Sequence, residues 1–177
     1  MRTFIALELP EEFSMQVAEL ARGLREQGLL QGRFMCRSTY HITLAFIGDV
    51  GEAEAQRVID VLDEVRPKLS AIELRSVGLK KFGRGNTATI ALELEPNDAL
   101  LDAAAFVRSA LDARGIAFDD KKFVPHITLA RKAQVLTDDL RNCAFPIPAQ
   151  ANEITFYRSY LSSEGATYKP LYSITWE

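Results

Sequence analysis

The spacing of hydrophobic positions changes several times along the chain, and each change predicts a different element. Stretches that alternate, or that mix β-branched with large apolar residues, are typical of strands, whereas apolar positions three and four apart are typical of helices. The predicted strands are Arg2–Leu9, 41–50, Ala71–Leu79, Thr87–Leu94, a stretch that begins at His126, Ala151–Leu161 and Tyr168–Trp176. Three helices are predicted: the first follows Pro10 and ends at Gly28, the second covers Glu52–Leu69, and the third runs from Asp98 to Gly115.

One pentapeptide occurs twice: His-Ile-Thr-Leu-Ala covers 41–45 and again 126–130, and the chain contains no other histidine. The copies lie 85 residues apart in a chain of 177, which predicts two similar halves whose strands meet at a shared site. Because alternate side chains of a strand share a face, His41, Thr43 and Ala45 should point away from the core, where the small alanine would leave room for a ligand. The residues expected to face the core are Ile42, Leu44 and Phe46.

Length and composition indicate one soluble globular domain. The 177 residues, 47% hydrophobic and 25% charged, suffice for one core or two closely packed lobes, and the longest apolar stretches are broken by charges before they could span a bilayer. The opening residues predict no secretory signal, so we expect a cytoplasmic protein. A net charge of −3 argues against a protein that coats long nucleic acid, but not against a site for one phosphate.

The two histidines are the candidate chemical groups. A single histidine on a strand is more often structural than catalytic. Two copies favour catalysis, because acid–base chemistry needs one group to accept a proton and another to donate one. With ordinary pKa values of about 6.5, two imidazoles can hold opposite protonation states near neutral pH. Each threonine hydroxyl could donate to a phosphoryl oxygen and a nearby arginine could offset its charge, which together predict metal-free phosphodiester cleavage.

Two other uses of the histidines fit the sequence less well. Zinc needs three or four ligands, and the further ligands would have to be carboxylates without recognisable spacing, because Cys36 and Cys143 fall in no zinc motif. These two cysteines are expected to be buried or half-buried free thiols. Ser-His-Asp hydrolysis is disfavoured, since the chain has no Gly-x-Ser-x-Gly motif.

The connector between the third and fourth predicted strands, LKKFGRGN, carries three cations around one aromatic ring. Its composition fits an ordinary solvent-exposed turn. It also fits a basic lip with a ring that stacks on a nucleobase, formed by Lys80, Lys81, Phe82 and Arg84.

The chain resembles the two-histidine (2H) phosphoesterase superfamily and, more narrowly, the RNA 2′,3′-cyclic phosphodiesterases formerly called 2′-5′ RNA ligases. The resemblance rests on His-x-Thr-Leu in each half and on Ala-Phe-Ile-Gly after the first copy. In the second copy, proline precedes the histidine and Leu-Ala-Arg follows the threonine. It extends to the opening FIALELP and to the C-terminal ITFYRSYLSSEGATYKPLYSITW, and so covers nearly the whole chain.

The resemblance implies an α+β fold in one bilobal domain, 1–177, with a pseudo-twofold duplication: two antiparallel sheets facing a central cleft, helices outside. It implies hydrolysis of RNA 2′,3′-cyclic ends to 2′-phosphates without metal or other cofactor. His126 would accept a proton from water and His41 would donate one to the leaving 3′-oxygen. Thr43, Thr128 and Arg131 would bind the phosphate.

Two other functions stay open at the level of sequence. The chain could cleave or reversibly join 2′-5′ linked oligonucleotides or hydrolyse small cyclic nucleotides, or it could bind RNA ends without turnover. The presence of both histidines and both threonines disfavours the binding module. We expect a monomer that needs no protein partner and no membrane.

Overall fold

The computed structural model describes residues 1–137 and 139–177, and within them the chain forms ten strands and three α-helices. The strands are β1 (Arg2–Leu7), β2 (Leu30–Phe34), β3 (Ile42–Asp49), β4 (Ile72–Leu74), β5 (Ser76–Phe82), β6 (Ala88–Leu94), β7 (His126–Val135), β8 (Ala149–Ala151), β9 (Glu153–Ser162) and β10 (Gly165–Thr175). The helices are α1 (Glu11–Glu26), α2 (Glu52–Val65) and α3 (Asp98–Ala113). No helix in the described ranges is long and apolar enough to cross a membrane.

Two four-stranded antiparallel sheets organise the molecule, one in each lobe. The first has the order β10-β9-β1-β3 and the second the order β2-β7-β6-β5, while β4 and β8 form a separate pair. The first lobe therefore takes its outer strands from the C-terminus, and the second takes β2 from the first half of the chain. The predicted α+β class with duplicated lobes is confirmed, although each lobe borrows strands from the other half.

The duplication is detailed enough to preserve strand register. In the first lobe β1 and β3 place Ile5 opposite Ala45, and in the second lobe β6 and β7 place Ile90 opposite Ala130. Both pairs are related by the same 85-residue offset as the repeated pentapeptide. The unit β1-α1-β3 thus recurs as β6-α3-β7, although in the first unit β2, a strand of the other sheet, lies between the helix and β3.

The helices bury the apolar faces that their spacing predicts. In α1 the buried residues are Phe13, Val17, Leu20, Ala21 and Leu24, as expected. In α3 the side chain of Asn97 accepts a hydrogen bond of 3.0 Å from the backbone N–H of Leu100 and caps the helix. Helix α2 ends at Val65, four residues earlier than predicted, because Pro67 follows and the chain passes into a 3₁₀ turn at Arg66–Lys68.

Two predictions about side-chain direction in β3 are wrong, because the strand contains β-bulges. Thr43 and Ala45 lie opposite the consecutive residues Ala6 and Ile5, so one extra residue is inserted between them. An extra residue reverses the direction of the side chains that follow. Ala45 is therefore fully buried rather than beside the histidine, and Phe46 faces the cleft rather than the core.

Candidate active site

A cavity of about 730 Å³ lies between the two sheets, and the repeated motif contributes to both of its walls. His41 and Thr43 line the wall formed by the first lobe, and His126 and Thr128 line the wall formed by the second. The tip of the β9–β10 hairpin, residues 161–166, borders the cavity as well. The structure therefore brings the two sequence-predicted pairs together at one site.

Both imidazole rings are oriented by the same backbone contact. Nδ1 of His41 lies 2.6 Å from the carbonyl oxygen of Thr39, and Nδ1 of His126 lies 2.7 Å from that of Val124. A carbonyl oxygen can only accept a hydrogen bond, so Nδ1 carries a proton in each ring. Nε2 is consequently the nitrogen that can exchange a proton with a ligand. In the first lobe, Nε2 of His41 also lies 3.0 Å from the hydroxyl oxygen of Thr43.

His41 lies among aromatic rings. Its ring stacks on Phe4 with centroids 4.8 Å apart, and Tyr168 meets it edge-on at 5.3 Å. The pKa of His41 is lowered to about 4, chiefly by burial and to a smaller extent by the charges of His126 and Arg131, while the hydrogen bond to Thr39 opposes the shift. His41 is therefore neutral at pH 7.

His126 has a different aromatic neighbour from His41. Phe82 contacts its ring with centroids 4.6 Å apart. The residue of the second lobe that is equivalent to Phe4, 85 positions later, is Thr89, which has no ring. Phe82 on β5 pairs with this Thr89 on the neighbouring strand β6. Phe82 thus reaches over a small residue to cover His126, and the sequence-predicted aromatic contact lies beside a catalytic candidate.

The three connector cations predicted to contact RNA lie outside the cavity lining. Lys80 forms an ion pair of 3.2 Å with Glu93, and its ammonium group sits 5.8 Å from the centre of the Phe82 ring. Lys81 and Arg84 are exposed to solvent on β5 and the following turn. Contact between RNA and this lip stays a prediction.

Four cations line the cavity instead, and only Arg131 was predicted. The others are Arg2, Arg33 and Lys132. The guanidinium of Arg2 is held 5.0 Å from the centre of the Phe46 ring, a cation–π contact that keeps it at the cleft. Burial raises the pKa of Tyr168, and the charges of Arg131 and Arg2 oppose that rise, so both guanidinium groups act on this hydroxyl.

Arg2, Arg33, Lys132 and Tyr168 were missed because they carry no local signal. Their positions depend on which strands pair and where the bulges fall, which a period-two pattern does not encode. The only sequence feature near Tyr168 was the resemblance of the C-terminal hairpin sequence, which contains Tyr-Arg-Ser and later tyrosines, to that of the family.

One cysteine differs from expectation. Cys36 is exposed and borders the cavity, whereas burial was predicted, because it lies on the irregular segment after β2. Cys143 is half-buried, as expected. Within residues 1–137 and 139–177, histidine, cysteine and carboxylate side chains form no group of three or more suited to a metal ion.

Two facing sheets, each presenting a histidine and a threonine to one cavity, define a two-histidine phosphoesterase. The sequence comparison agrees with this geometry. The chain belongs to the LigT-like phosphoesterase family, whose characteristic sequence matches residues 7–87 and 90–168, one match for each half.

Individual relatives point the same way. The chain is 29% identical to the RNA 2′,3′-cyclic phosphodiesterase of Thermotoga maritima, over 100% of this chain and 96% of that protein. It is 27% identical to the protein of the same name from Escherichia coli K12, over 96% and 93%. Among solved structures, Escherichia coli LigT without ligand matches with a TM-score of 0.79 at 23% identity, over 98% and 96% of the two chains. This last similarity concerns the fold.

Proposed function

We propose that this protein hydrolyses 2′,3′-cyclic phosphodiester ends of RNA to 2′-phosphomonoesters, with His41 and His126 as the acid–base pair. The observation that carries the proposal is the pair of imidazole rings facing one cavity from opposite sheets, each held by a hydrogen bond from Nδ1 to a backbone carbonyl. Support also comes from the relatives named RNA 2′,3′-cyclic phosphodiesterase. Escherichia coli LigT, which has the same fold, has been solved with 3′-AMP and with phosphate.

In the proposed reaction, Nε2 of His126 takes a proton from a water molecule whose oxygen attacks the cyclic phosphorus. The bond between phosphorus and the ribose 3′-oxygen breaks, and protonated His41 gives its Nε2 proton to that oxygen. The products are a 3′-hydroxyl and a 2′-phosphate. Thr43 and Thr128 donate to the non-bridging oxygens, and Arg131 offsets their negative charge.

The lowered pKa of His41 fits the role of acid only when the substrate is bound. Without substrate the ring is neutral and has no Nε2 proton to donate. A cyclic phosphodiester brings one negative charge into the cavity and favours the protonated ring. The same charge would lie beside His126, so the two histidines can hold opposite protonation states only if their surroundings differ. Their aromatic neighbours do differ, because Phe4 stacks on His41 and Phe82 contacts His126.

The decisive test uses EDTA-treated protein and a short RNA that ends in a 2′,3′-cyclic phosphate. We expect multiple turnover in EDTA and a product with a 2′-phosphate, identified by its resistance to a 3′-specific phosphatase. Loss of activity on chelation would overturn the metal-free mechanism. A matched 2′-5′ linked oligonucleotide cleaved faster than the cyclic end would replace the proposed substrate, and tight binding without turnover would leave only an RNA-end binding module.

We also expect the active enzyme to be a cytoplasmic monomer. Size-exclusion chromatography with light scattering at assay concentration measures the mass, and a dimer would contradict this expectation. Fractionation of the source cells tests the location.

A further inference from the structure

The cavity extends beyond the His-x-Thr pairs, along β7 towards β2. Lys132 follows Thr128 by four residues, at most about 13 Å of extended strand. Arg33 lies on β2 directly opposite Arg131. Both Arg33 and Lys132 line the cavity, so its positive charge continues past the site proposed for the reacting phosphate.

An unusual backbone conformation turns Lys132 into this part of the cavity. Consecutive residues of a strand normally point to opposite faces, yet Arg131 and Lys132 both line the cavity. Lys132 has φ 47°, and it is the one non-glycine residue with positive φ in the described part of the chain. The equivalent residue of the first lobe, Ile47, lacks this conformation, so the duplicated fold alone does not require it. A left-handed conformation at a residue with a Cβ costs free energy and is typical of functional positions.

Strand β2 pairs with a β-bulge of β7, because Gln31 and Arg33 lie opposite Gln134 and Arg131, which leaves one extra residue on β7. Gly32 lies where a Cβ would approach Cα and Cβ of Ala133 to 2.8 Å and the carbonyl oxygen of Arg131 to 3.0 Å. Only glycine therefore lets β2 come close enough for Arg33 to stand opposite Arg131. The guanidinium of Arg33 also lies near the tip of the β9–β10 hairpin, 3.7 Å from a Cβ built on Gly165.

The resulting cluster of Arg33, Arg131 and Lys132 has unbalanced charge. Like charges directly opposite each other on paired strands are destabilising unless an anion lies between them. No carboxylate of the described residues lies within 4.0 Å of a charged nitrogen of these three side chains. The cluster therefore fits a multiply charged ligand better than a single phosphate.

We propose that Arg33 and Lys132 form a second phosphate subsite, which binds the phosphodiester on the 5′ side of the terminal nucleotide and makes an oligonucleotide end the preferred substrate. The inference rests on the proposed function, because it extends the same cavity. Arg131 lies between the two subsites and serves the reacting phosphate.

Three substrates separate this subsite from the reaction centre. The first is 2′,3′-cyclic AMP, which has no further phosphate. The second is a diadenosine nucleotide with a 2′,3′-cyclic end, and the third is the same dinucleotide with a neutral methylphosphonate in place of the linking phosphate. The second and third differ only in charge at the position assigned to Arg33 and Lys132.

The wild-type protein should cleave the charged dinucleotide with kcat/KM about tenfold above that of the neutral one, the scale of one charge-assisted contact. Arg33→Gln and Lys132→Gly should each remove most of this difference and leave the rate on 2′,3′-cyclic AMP within about twofold. Lys169→Gln, an exposed cation outside the cavity lining, is the matched control and should leave the difference intact. Lys132→Gly also relieves the backbone conformation, so its melting temperature should rise while the preference falls.

Equal rates of the wild type on both dinucleotides would overturn the subsite, as would variants that slow all three substrates alike. Either result leaves the proposed function in place as long as 2′,3′-cyclic AMP is hydrolysed. If the wild type hydrolyses none of the three substrates, the proposed function fails first. Because Lys132→Gly removes a strained conformation, it tests the subsite even if Arg33→Gln does not fold.

Discussion

A bound phosphodiester should raise the pKa of His41 by about three units. The perturbation is one negative charge about 4 Å from the imidazolium, which at an effective dielectric constant of about 20 contributes roughly 4 kcal/mol. At about 1.4 kcal/mol per pKa unit this corresponds to about three units. Because the pKa is lowered to about 4, chiefly by burial, the bound anion should raise it towards neutrality. The ring would then hold a proton at the pH where the reaction is proposed to run.

The shift can be measured directly, because the chain has only two histidines. Ring nitrogen–proton NMR spectra are titrated between pH 3 and 9, free and with a non-hydrolysable cyclic phosphonate that stays singly charged in this range. His126→Asn assigns the remaining signals to His41. Because binding is expected to raise the pKa of His41, the affinity for the analogue should increase as the pH falls from 7 to 4. Below pH 4 the affinity should not increase further. A pKa of His41 that stays near 4 in the complex would refute its role as proton donor and favour exchanged roles.

The remaining predictions concern single residues. His126→Ala should lower kcat by about two to four orders of magnitude, the scale for a general base, with an unchanged circular dichroism spectrum; wild-type turnover would remove it from the mechanism. Thr43→Val should lower kcat/KM by about tenfold, since one hydrogen bond to a charged group is lost, and no change would show that the hydroxyl does not bind the phosphate. Gly32→Ala should cost about 1–3 kcal/mol in urea unfolding because its Cβ would overlap β7. Gly23→Ala, inside α1 where an added Cβ would meet only Nε2 of Gln27 at 3.6 Å, should not lower the unfolding free energy, because alanine has the higher helix propensity. The unfolded state binds a proton on His41 below about pH 6.5 and the folded state only near pH 4. The unfolding free energy should therefore fall by about 3 kcal/mol as the pH is lowered from about 6.5 to about 4. His41→Asn should remove that part of the pH dependence, and identical pH dependence in the wild type and the variant would contradict the prediction.

The repeated pentapeptide was sufficient to predict the duplication and the meeting of both histidines, because each copy is a local pattern on a strand. Strand β2 was missed, because no element was predicted between Gly28 and residue 41. Its sequence, LQGRF, has one fully buried residue at its start and three exposed residues after it, so it lacks a period-two signal. It becomes a strand through backbone pairing with β7. Because β7 lies more than 90 residues further along the chain, no local sequence pattern can indicate this pairing.

The predicted direction of the side chains after each histidine was also wrong, because strand pairing decides it and the local pattern does not. Alternation holds only while two strands stay in register, and a single inserted residue reverses it. Ala45 and Ala130 follow such insertions and are fully buried, although the sequence prediction placed Ala45 beside the histidine. The same insertions bring Phe46 and Arg131 to the cavity, so the chemistry of its walls is decided by positions that a strict strand pattern assigns to the core.

The duplicated scaffold becomes asymmetric at a few equivalent positions. Phe46 in the first lobe is replaced by Arg131 in the second, and Phe4 by Thr89. Aromatic rings around His41 exclude solvent and favour the neutral imidazole, whereas the second lobe presents the guanidinium of Arg131 to the cavity. Exchanging these residues between the lobes would leave the backbone pairing in place but reverse the difference between the surroundings of the two rings. The two histidines therefore differ through side chains placed on a symmetric frame, which is why the histidine motifs alone could not assign the two proposed roles.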